Sequence, residues 1–420
     1  MKHIYTLAIT ALSIVFLAPT AKAQMVSDMV SIQQGYTHQS YYSMANGELA
    51  NVSNTDWDLA FQIRGFAASI LINSKKGISL WKANKDASQW TSMVTSDTTG
   101  IISDPAYQLF NSDTSWDFGA FNRTNDPANA FDLGWGVYDF ITHAITGDSI
   151  FFIKLGPTDY RKLRIDFLAG GVYNFRYANL DGSNEVVASL SKTNFQGKFF
   201  GYYAFSSNTT IDREPVYNTW DLTFCQYYAQ TPIAYMVTGV LSNDSVSVAK
   251  AYPVDTSINS PGTFTFNDQI NAINYDWKTI NMGTFQWDIS DSTVYFVRDR
   301  AGALWKMVFT GFSGSSSGIF SFDKGPATPT GLFENSPVKT FGIYPNPTSG
   351  FTRMMIEAEN TGNAVIQVTD VQGRLVNTQQ SGLYTGLNTV DLDLTGLPAG
   401  LYQVSIRQGN DLQVTRVMIQ

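Results

Sequence analysis

Apolar and polar residues alternate with a period of two along much of this chain, in short runs punctuated by Gly, Asn, Asp and Pro. Asp148–Lys154 (DSIFFIK), Lys162–Phe167 (KLRIDF), Val172–Tyr177 (VYNFRY), Ser292–Arg298 (STVYFVR), Trp305–Phe309 (WKMVF) and Ile319–Phe322 (IFSF) all read as strands. Helix signals are sparse, and the best candidate for a short helical turn is Pro105–Leu109. The predicted class is all-β. Trp57, Leu59 and Phe61 are expected on one face of a strand with Asp58 and Ala60 on the other, and Trp220, Leu222 and Phe224 repeat that arrangement.

The pattern contains an internal repeat. Asn54–Phe61 (NTDWDLAF) returns as Asn218–Phe224 (NTWDLTF). An aromatic, turn-rich lead-in precedes each copy, at Gly35–Gly47 and Gly201–Thr210. An apolar strand with an Asn-Ser or Ser-Asn turn follows each, at Ile70–Ser74 and Val237–Asp244. The period is far too long for a solenoid unit. Two tandem antiparallel β domains are therefore expected, at residues 24–191 and 192–324. Residues 325–340 carry three prolines and little apolar pattern, which reads as a linker. Residues 341–420 hold several short strands, with turns at Asp370–Gly373 and Leu397–Gly400. That spacing predicts a small Ig-like β-sandwich.

This last segment carries three ordered motifs: Tyr344-Pro345-Asn346-Pro347, Asp370 followed by Gly373-Arg374, and Leu397-Pro398-Ala399-Gly400-Leu401-Tyr402. In them it resembles the type A C-terminal sorting domain of type IX secretion substrates. The resemblance implies export to the cell surface or the medium, with the type IX secretion machinery and its processing peptidase as partners. Tyr344, Pro345, Asn346, Pro347, Gly373 and Gly400 carry the signal. The N-terminus agrees: Lys2, the apolar run Ile4–Leu17 and Ala21-Lys22-Ala23 predict a signal peptide over residues 1–23, cleaved before Gln24. The apolar run is too short to span a bilayer and no other stretch is long enough, so no transmembrane segment is expected in the mature chain.

Cleavage removes Lys2 and Lys22, leaving 25 of the 27 basic residues against 35 acidic ones. That balance opposes nucleic acid and anionic membrane surfaces as partners. Charged residues are 15% and aromatics 14%, the composition of an aromatic-rich β protein rather than a disordered one. Cys225 is the one cysteine. An intrachain disulfide is excluded, and Cys225 is expected to be a small buried hydrophobe.

The repeat pair resembles the HmuY-type family of bacterial haem-binding proteins. The matching elements are Tyr41-Tyr42-Ser43, Trp57–Phe61, Ile72-Asn73-Ser74, Ser149–Lys154, Tyr160–Phe167 and Tyr173–Tyr177. The first domain matches along most of its length and the second more loosely. The resemblance implies haem or porphyrin capture for iron acquisition, with the iron between two axial His or Met side chains. The mature chain has two histidines, His38 and His143. His143, in Asp139–Asp148, lies about where the family carries a ligand loop and is the candidate ligand. Met93 is its candidate partner, with Trp90 able to stack on a porphyrin. His38 reads as a surface residue. The second domain has no histidine, and Met236, Met282 and Met307 read as core packing. That domain is expected to serve as a spacer or protein-contact surface. The alternative for the whole pair is a surface interaction or structural module that kept the fold without haem.

Enzyme signals are thin. Gly314–Gly318 (GSSSG) satisfies G-x-S-x-G but lacks a strand–turn–helix context and a His base, and reads as a turn loop. Asn179–Glu185 (NLDGSNE) is too incomplete for a calcium loop and reads as a hairpin turn. Zinc spacings and phosphate loops are absent from the sequence. The expectation is a non-enzymatic protein with no metal beyond haem iron.

Overall fold

The computed structural model describes residues 25–230, 233–328, 338–358, 360–409 and 411–420. The expected signal peptide and most of the expected linker lie outside these residues. The chain opens with β1 (Val26–Ser31), β2 (His38–Ser43) and β3 (Gly47–Ser53). Next come β4 (Leu59–Gln62), β5 (Ile70–Ile72), β6 (Ser79–Asp86), β7 (Gln108–Leu109), β8 (Gly136–Asp139), β9 (Ala144–Gly147) and β10 (Ser149–Lys154). They are followed by β11 (Tyr160–Ala169), β12 (Val172–Asn179), β13 (Val186–Ser191), β14 (Phe200–Ala204) and β15 (Thr209–Ile211). The second repeat continues with β16 (Leu222–Ala229), β17 (Tyr235–Ser242), β18 (Ser247–Ala251), β19 (Lys278–Asn281), β20 (Gln286–Ile289), β21 (Val294–Arg298), β22 (Leu304–Phe312) and β23 (Ile319–Pro326). Pro105–Tyr107 forms the short helical turn expected there, a 3-10 turn capped by the Asp104 side chain on Ala106 N.

These strands make two sandwiches that do not follow the sequence boundary. In the first unit, the sheet β13-β12-β11-β10-β6-β7 packs against β15-β14-β4-β5. In the second, β1-β23-β22-β21-β18 packs against β17-β16-β2-β3. The lead-in hairpin of each repeat has crossed to the other. Strand β14 pairs with β4 (Gly201 opposite Phe61), while β2 pairs with β16 (Tyr41 opposite Thr223) and β1 with β23 (Val30 opposite Phe320). The first unit is therefore continuous from β4 to β15, and the second joins β1–β3 to β16–β23. A boundary at Ser191 divides the sequence repeats but not the packed units. Strand β23 also runs through Pro326, two residues into the expected linker.

The repeated motif is the clasp of this exchange. Asp58 N donates to Tyr203 O and Asp221 N to Tyr42 O, each at 2.8 Å. Asp58 Oδ2 accepts from Phe205 N, and Asp221 Oδ2 from Met44 N, each at 2.7 Å. Each carboxylate thus holds the end of the hairpin that came from the other repeat. Asn73 Nδ2 donates to the carbonyls of Asn54 and Trp57, and Asn243 Nδ2 does the same for Tyr217 and Trp220. Buried polar groups need such partners; Asp58 and Asp221 find theirs on the exchanged hairpins, Asn73 and Asn243 within their own repeat.

In the inner sheets β15-β14-β4-β5 and β17-β16-β2-β3, strands β4, β5, β14, β2 and β16 are buried on both faces, whereas the edge strands β15 and β3 are not. Leu59 and Phe61 enter the first core, with Ile70, Phe175 and Tyr203. Leu222 and Phe224 enter the second, with Tyr42, Met307 and Phe322. A Phe61→Ala change would cost about 3–5 kcal/mol by leaving a cavity in the first core. The opposite faces look at each other: Ala60, Leu71, Phe200 and Tyr202 on one side, Cys225, Tyr227 and Leu241 on the other, with Trp116 packed against both groups. Trp57 departs from the expected face. It precedes β4 and packs with Ala60 and Tyr202, not with Leu59 and Phe61. Trp220 likewise precedes β16 and stacks edge-on with Tyr41 and Trp116.

The C-terminal segment is a separate sandwich. Its strands are β24 (Val338–Tyr344), β25 (Phe351–Ala358), β26 (Gly362–Thr369), β27 (Leu375–Leu383), β28 (Gly386–Asp393), β29 (Gly400–Gln408) and β30 (Asp411–Ile419). Sheets β24-β25-β28 and β27-β26-β29-β30 enclose Met354, Ile366, Leu392, Val404 and Val417. The turn at Asp370 closes by accepting from Gln372 N and Arg374 N, with Gly373 at φ +80°, a conformation glycine adopts without strain.

Candidate functional site

His143 sits in the turn of the β8–β9 hairpin. Asp139 Oδ1 accepts from Ile141 N and Thr142 N, and the chain reaches β9 through His143 at φ +54°. Turns of this length call for one left-handed residue, and His tolerates that geometry better than most. The imidazole is exposed, and its Nδ1 lies 2.8 Å from Tyr138 Oη.

Met93 is elsewhere. It ends the 3-10 helix Ala87–Ser92 and is buried with Trp81, Trp90, Ile150 and Phe152 on the outer face of the first unit's outer sheet. Trp90 is occupied as well. Lys162 Nζ lies 4.6 Å from its ring centre, and its indole N–H donates to Glu185 Oε2. The structure does not bring His143 and Met93 together. His38 is half-buried beside Thr37. Of the second repeat's methionines, Met307 is core and Met282 is exposed next to the β19–β20 turn, contrary to the core position expected for it. Gly314–Ser316 is a 3-10 turn, and Asn179–Glu185 is the β12–β13 hairpin turn, as expected.

The structure instead builds a site between the facing inner sheets. A cavity of about 90 Å³ lies there, walled by Tyr41, Trp57, Trp116, Tyr202, Trp220 and Tyr227. Beside it, Glu214 is fully buried. Its Oε1 accepts from the backbone N–H groups of Phe199 and Phe200, and its Oε2 from Tyr202 Oη at 2.8 Å and Tyr41 Oη at 3.5 Å. Burial pushes the Glu214 carboxyl up to about 7, and those hydrogen bonds and Arg213 hold it from rising further. Burial also raises the phenols of Tyr41 and Tyr202. Arg213 Nη1 donates to Gln39 Oε1 and Nη2 to Ser53 O, and the guanidinium lies 4.9 Å from the Tyr202 ring centre.

A second clasp closes one edge of the interface. Asp244 pairs with Arg64 of the first unit and Arg300 of the second, and both guanidinium groups stack on Tyr217. None of the cavity residues was singled out by the sequence as a site. The available signal was Arg213-Glu214, adjacent opposite charges just before the second copy of the repeated motif.

An all-β body of two interlocked sandwiches followed by a separate small sandwich defines a modular β protein. Residues 342–420 match the family described as the secretion system C-terminal sorting domain, so the third sandwich is the sorting module that its motifs indicated. A sorting domain of this family implies export to the cell surface or the medium, and with it the secretion machinery and its processing peptidase. No curated protein sequence matches the chain. Among solved structures, the chain is similar to an HmuY-like haem-binding protein of Bacteroides vulgatus at 13% identity and a TM-score of 0.18, covering 31% of this chain and 86% of that one. It is also similar to dimeric latent PorU of Porphyromonas gingivalis at 11% identity and a TM-score of 0.18. That match covers 66% of this chain but only 26% of PorU. At that level neither structural likeness carries a functional argument.

Proposed function

We propose that this protein is an exported, non-catalytic surface module whose paired units recognise a ligand or partner without binding haem through His143 and Met93. The placement of those two residues carries the reading. His143 is exposed in a hairpin turn, and Met93 is packed beneath Trp90 in a different cluster. Axial ligation needs both on opposite faces of one macrocycle slot. The interface cavity is also far smaller than the roughly 300–1,000 Å³ of pockets for larger ligands. In this reading a signal peptide over residues 1–23 takes the chain through the inner membrane, and the sorting domain takes it through the outer one. A haem titration of the purified protein, read by visible absorption beside His143→Ala, is the test. The expected result is no saturable Soret shift in either redox state. A saturable shift abolished by His143→Ala would overturn the reading and establish haem capture.

A further inference from the structure

Strand β25 has two faces. Met354, Ile356 and Ala358 enter the sorting sandwich's own core. Arg353, Met355 and Glu357 alternate with them and face the other way. Met355 is nonetheless only 2% exposed, and it belongs to the core of the first unit. An apolar side chain buried outside its own sandwich marks a docked surface.

Its neighbours on the strand agree. Tyr344 meets Phe131 edge-on at 5.1 Å, and the Arg353 guanidinium lies 5.3 Å from the Phe140 ring centre. Phe131 stacks on Tyr138, which packs against Phe66, so these rings form one apolar face on the first unit. Glu357 Oε1 stands over the turn at Gly65, where an added Cβ would lie 3.6 Å from it. Its charge favours the Lys192 ammonium, which burial pushes down to about 8. The β19–β20 hairpin of the second unit has the same turn. Asn281 Oδ1 accepts from Gly283 N and Thr284 N, as Asp139 does from Ile141 N and Thr142 N, and Phe285 matches His143 at φ +55°. There Met282 and Phe285 stand 72% and 71% exposed, so the sandwich has taken one of two equivalent hairpins.

We propose that the first unit carries a docking surface for the chain's own sorting sandwich, with Met355 as its plug, which is held by the connection over residues 329–337 and lost when that connection is cut. The side chains that carry the contact are few, against roughly 20–30 residues a side in a lasting complex. The connection keeps the sandwich at an effective concentration on the order of millimolar, at which a weak contact stays occupied, and cutting removes that advantage. The face of Phe66, Phe131 and Tyr138 is then covered in the precursor and open in the processed protein. Only the identity of the cutting enzyme rests on the export reading; the contact itself is tested separately.

The test uses the full chain with a specific protease site placed within residues 329–337, carrying Met355→Cys or Phe351→Cys. Phe351 is 66% exposed on the same strand, and Cys225 at 5% exposure gives a slow background. In the intact chain the Met355→Cys thiol should react at least about tenfold more slowly than the Phe351→Cys thiol. After the cut the two should react alike, and the sandwich should elute apart from the body at micromolar concentration. Hydrogen exchange of the parent sequence with the same protease site is the second measurement, which decides if Met355→Cys does not fold. Exchange across Gly136–Gly147 should quicken on cutting, with β16 unchanged. Equal labelling of the two thiols in the intact chain, or unchanged exchange across that hairpin on cutting, would show that the surface is not docked. Co-elution of the cut pieces would show that the contact does not need the connection. Each of these results would overturn the proposal.

Discussion

Tyr41 and Tyr202 meet hydroxyl to hydroxyl at 3.2 Å across the interface between the two units. They occupy equivalent places in the two repeats, and each packs edge-on against the other repeat's tryptophan at 5.1 Å, Tyr41 on Trp220 and Tyr202 on Trp57. Glu214 breaks this symmetry, standing 2.8 Å from Tyr202 Oη and 3.5 Å from Tyr41 Oη. Removing a hydrogen bond to a buried carboxylate costs about 1.5–3 kcal/mol, against about 1 kcal/mol for a neutral one. Tyr202→Phe is therefore expected to destabilise the protein more than Tyr41→Phe in urea unfolding at pH 8. Equal losses would show that the two hydroxyls share the carboxylate evenly.

The same carboxylate sets a pH dependence. Its folded-state value of about 7 lies above the ordinary 4.5, so the folded protein binds the proton more tightly than the unfolded chain. The stability it contributes is fully present below pH 4.5 and is lost as pH rises to 7, on the order of 3 kcal/mol in all. Lys278 has the opposite sign. Burial pushes its ammonium down to about 7, so the unfolded chain binds that proton more tightly and stability rises as pH goes from 7 to 10.5. Unfolding free energies between pH 5 and pH 9 should show the fall, and Glu214→Gln should flatten it while leaving the rise above pH 7. An unchanged slope in Glu214→Gln would place the titrating group elsewhere.

The exchange of hairpins predicts which pieces fold. A fragment over Asn54–Tyr217 contains β4–β15, both sheets of the first unit and its clasp residues Asp58 and Asn73. It is expected to melt cooperatively by circular dichroism. The fragment 192–326 covers the second sequence repeat, 192–324, to the end of β23 but lacks β1–β3. It leaves β16 and β23 without their partners, exposes Phe224 and Phe322, and takes β14–β15 away from β4. It is expected to stay unfolded or to aggregate. A cooperative melt of that second fragment would show that the exchange contributes little.

Much of the architecture was legible because strand periodicity is local. The late strands Ser149–Lys154 and Val294–Arg298 form where their short apolar runs predicted, and the sorting motifs fall at the turns of a sandwich. The exchange was not legible. A lead-in such as His38–Ser43 carries no local signal of which WDL strand it joins; in the structure it pairs with β16, and Asp221 takes Met44 N at its end. Trp57 was misplaced because β4 begins only at Leu59, so alternation could not be carried back to it. The cavity was hidden for a related reason: Tyr41, Glu214 and Trp220 meet only after the units close on each other. His143 drew attention through its residue type, whereas its place is explained by turn geometry.

Cys225 offers a reporter of that closure. Its side chain lies between the inner sheets, 5% exposed, and burial pushes the thiol up to about 12. Reaction requires the thiolate, so the native thiol should be inert. A colourless native sample with an aromatic disulfide reagent, followed by one equivalent released on denaturation, is expected. Fast release from the native protein would mean that the interface opens on the timescale of the assay.

In the sorting domain, Asn346 acts as a clamp on the last strand. Its Oδ1 accepts from Met418 N at 2.8 Å and its Nδ2 donates to Arg416 O at 3.0 Å, while Thr348 N donates to Met418 O beside them. Pro345 and Pro347 fix the backbone on either side, so the amide is presented to β30 without much loss of freedom. Both contacts join a side chain to the backbone of the sheet's edge strand, beside the Thr348 bridge. Asn346→Ala should therefore cost the sorting sandwich about 1–2 kcal/mol and loosen β30, with little effect on the interlocked body. Hydrogen exchange resolved by segment would show faster exchange across Asp411–Ile419 and unchanged exchange across β16. If secretion reads the folded sandwich, the variant should also accumulate in the cell at the expense of the surface fraction. Unchanged exchange in β30 would reduce the Tyr344–Pro347 motif to a chemical signal read apart from this clamp.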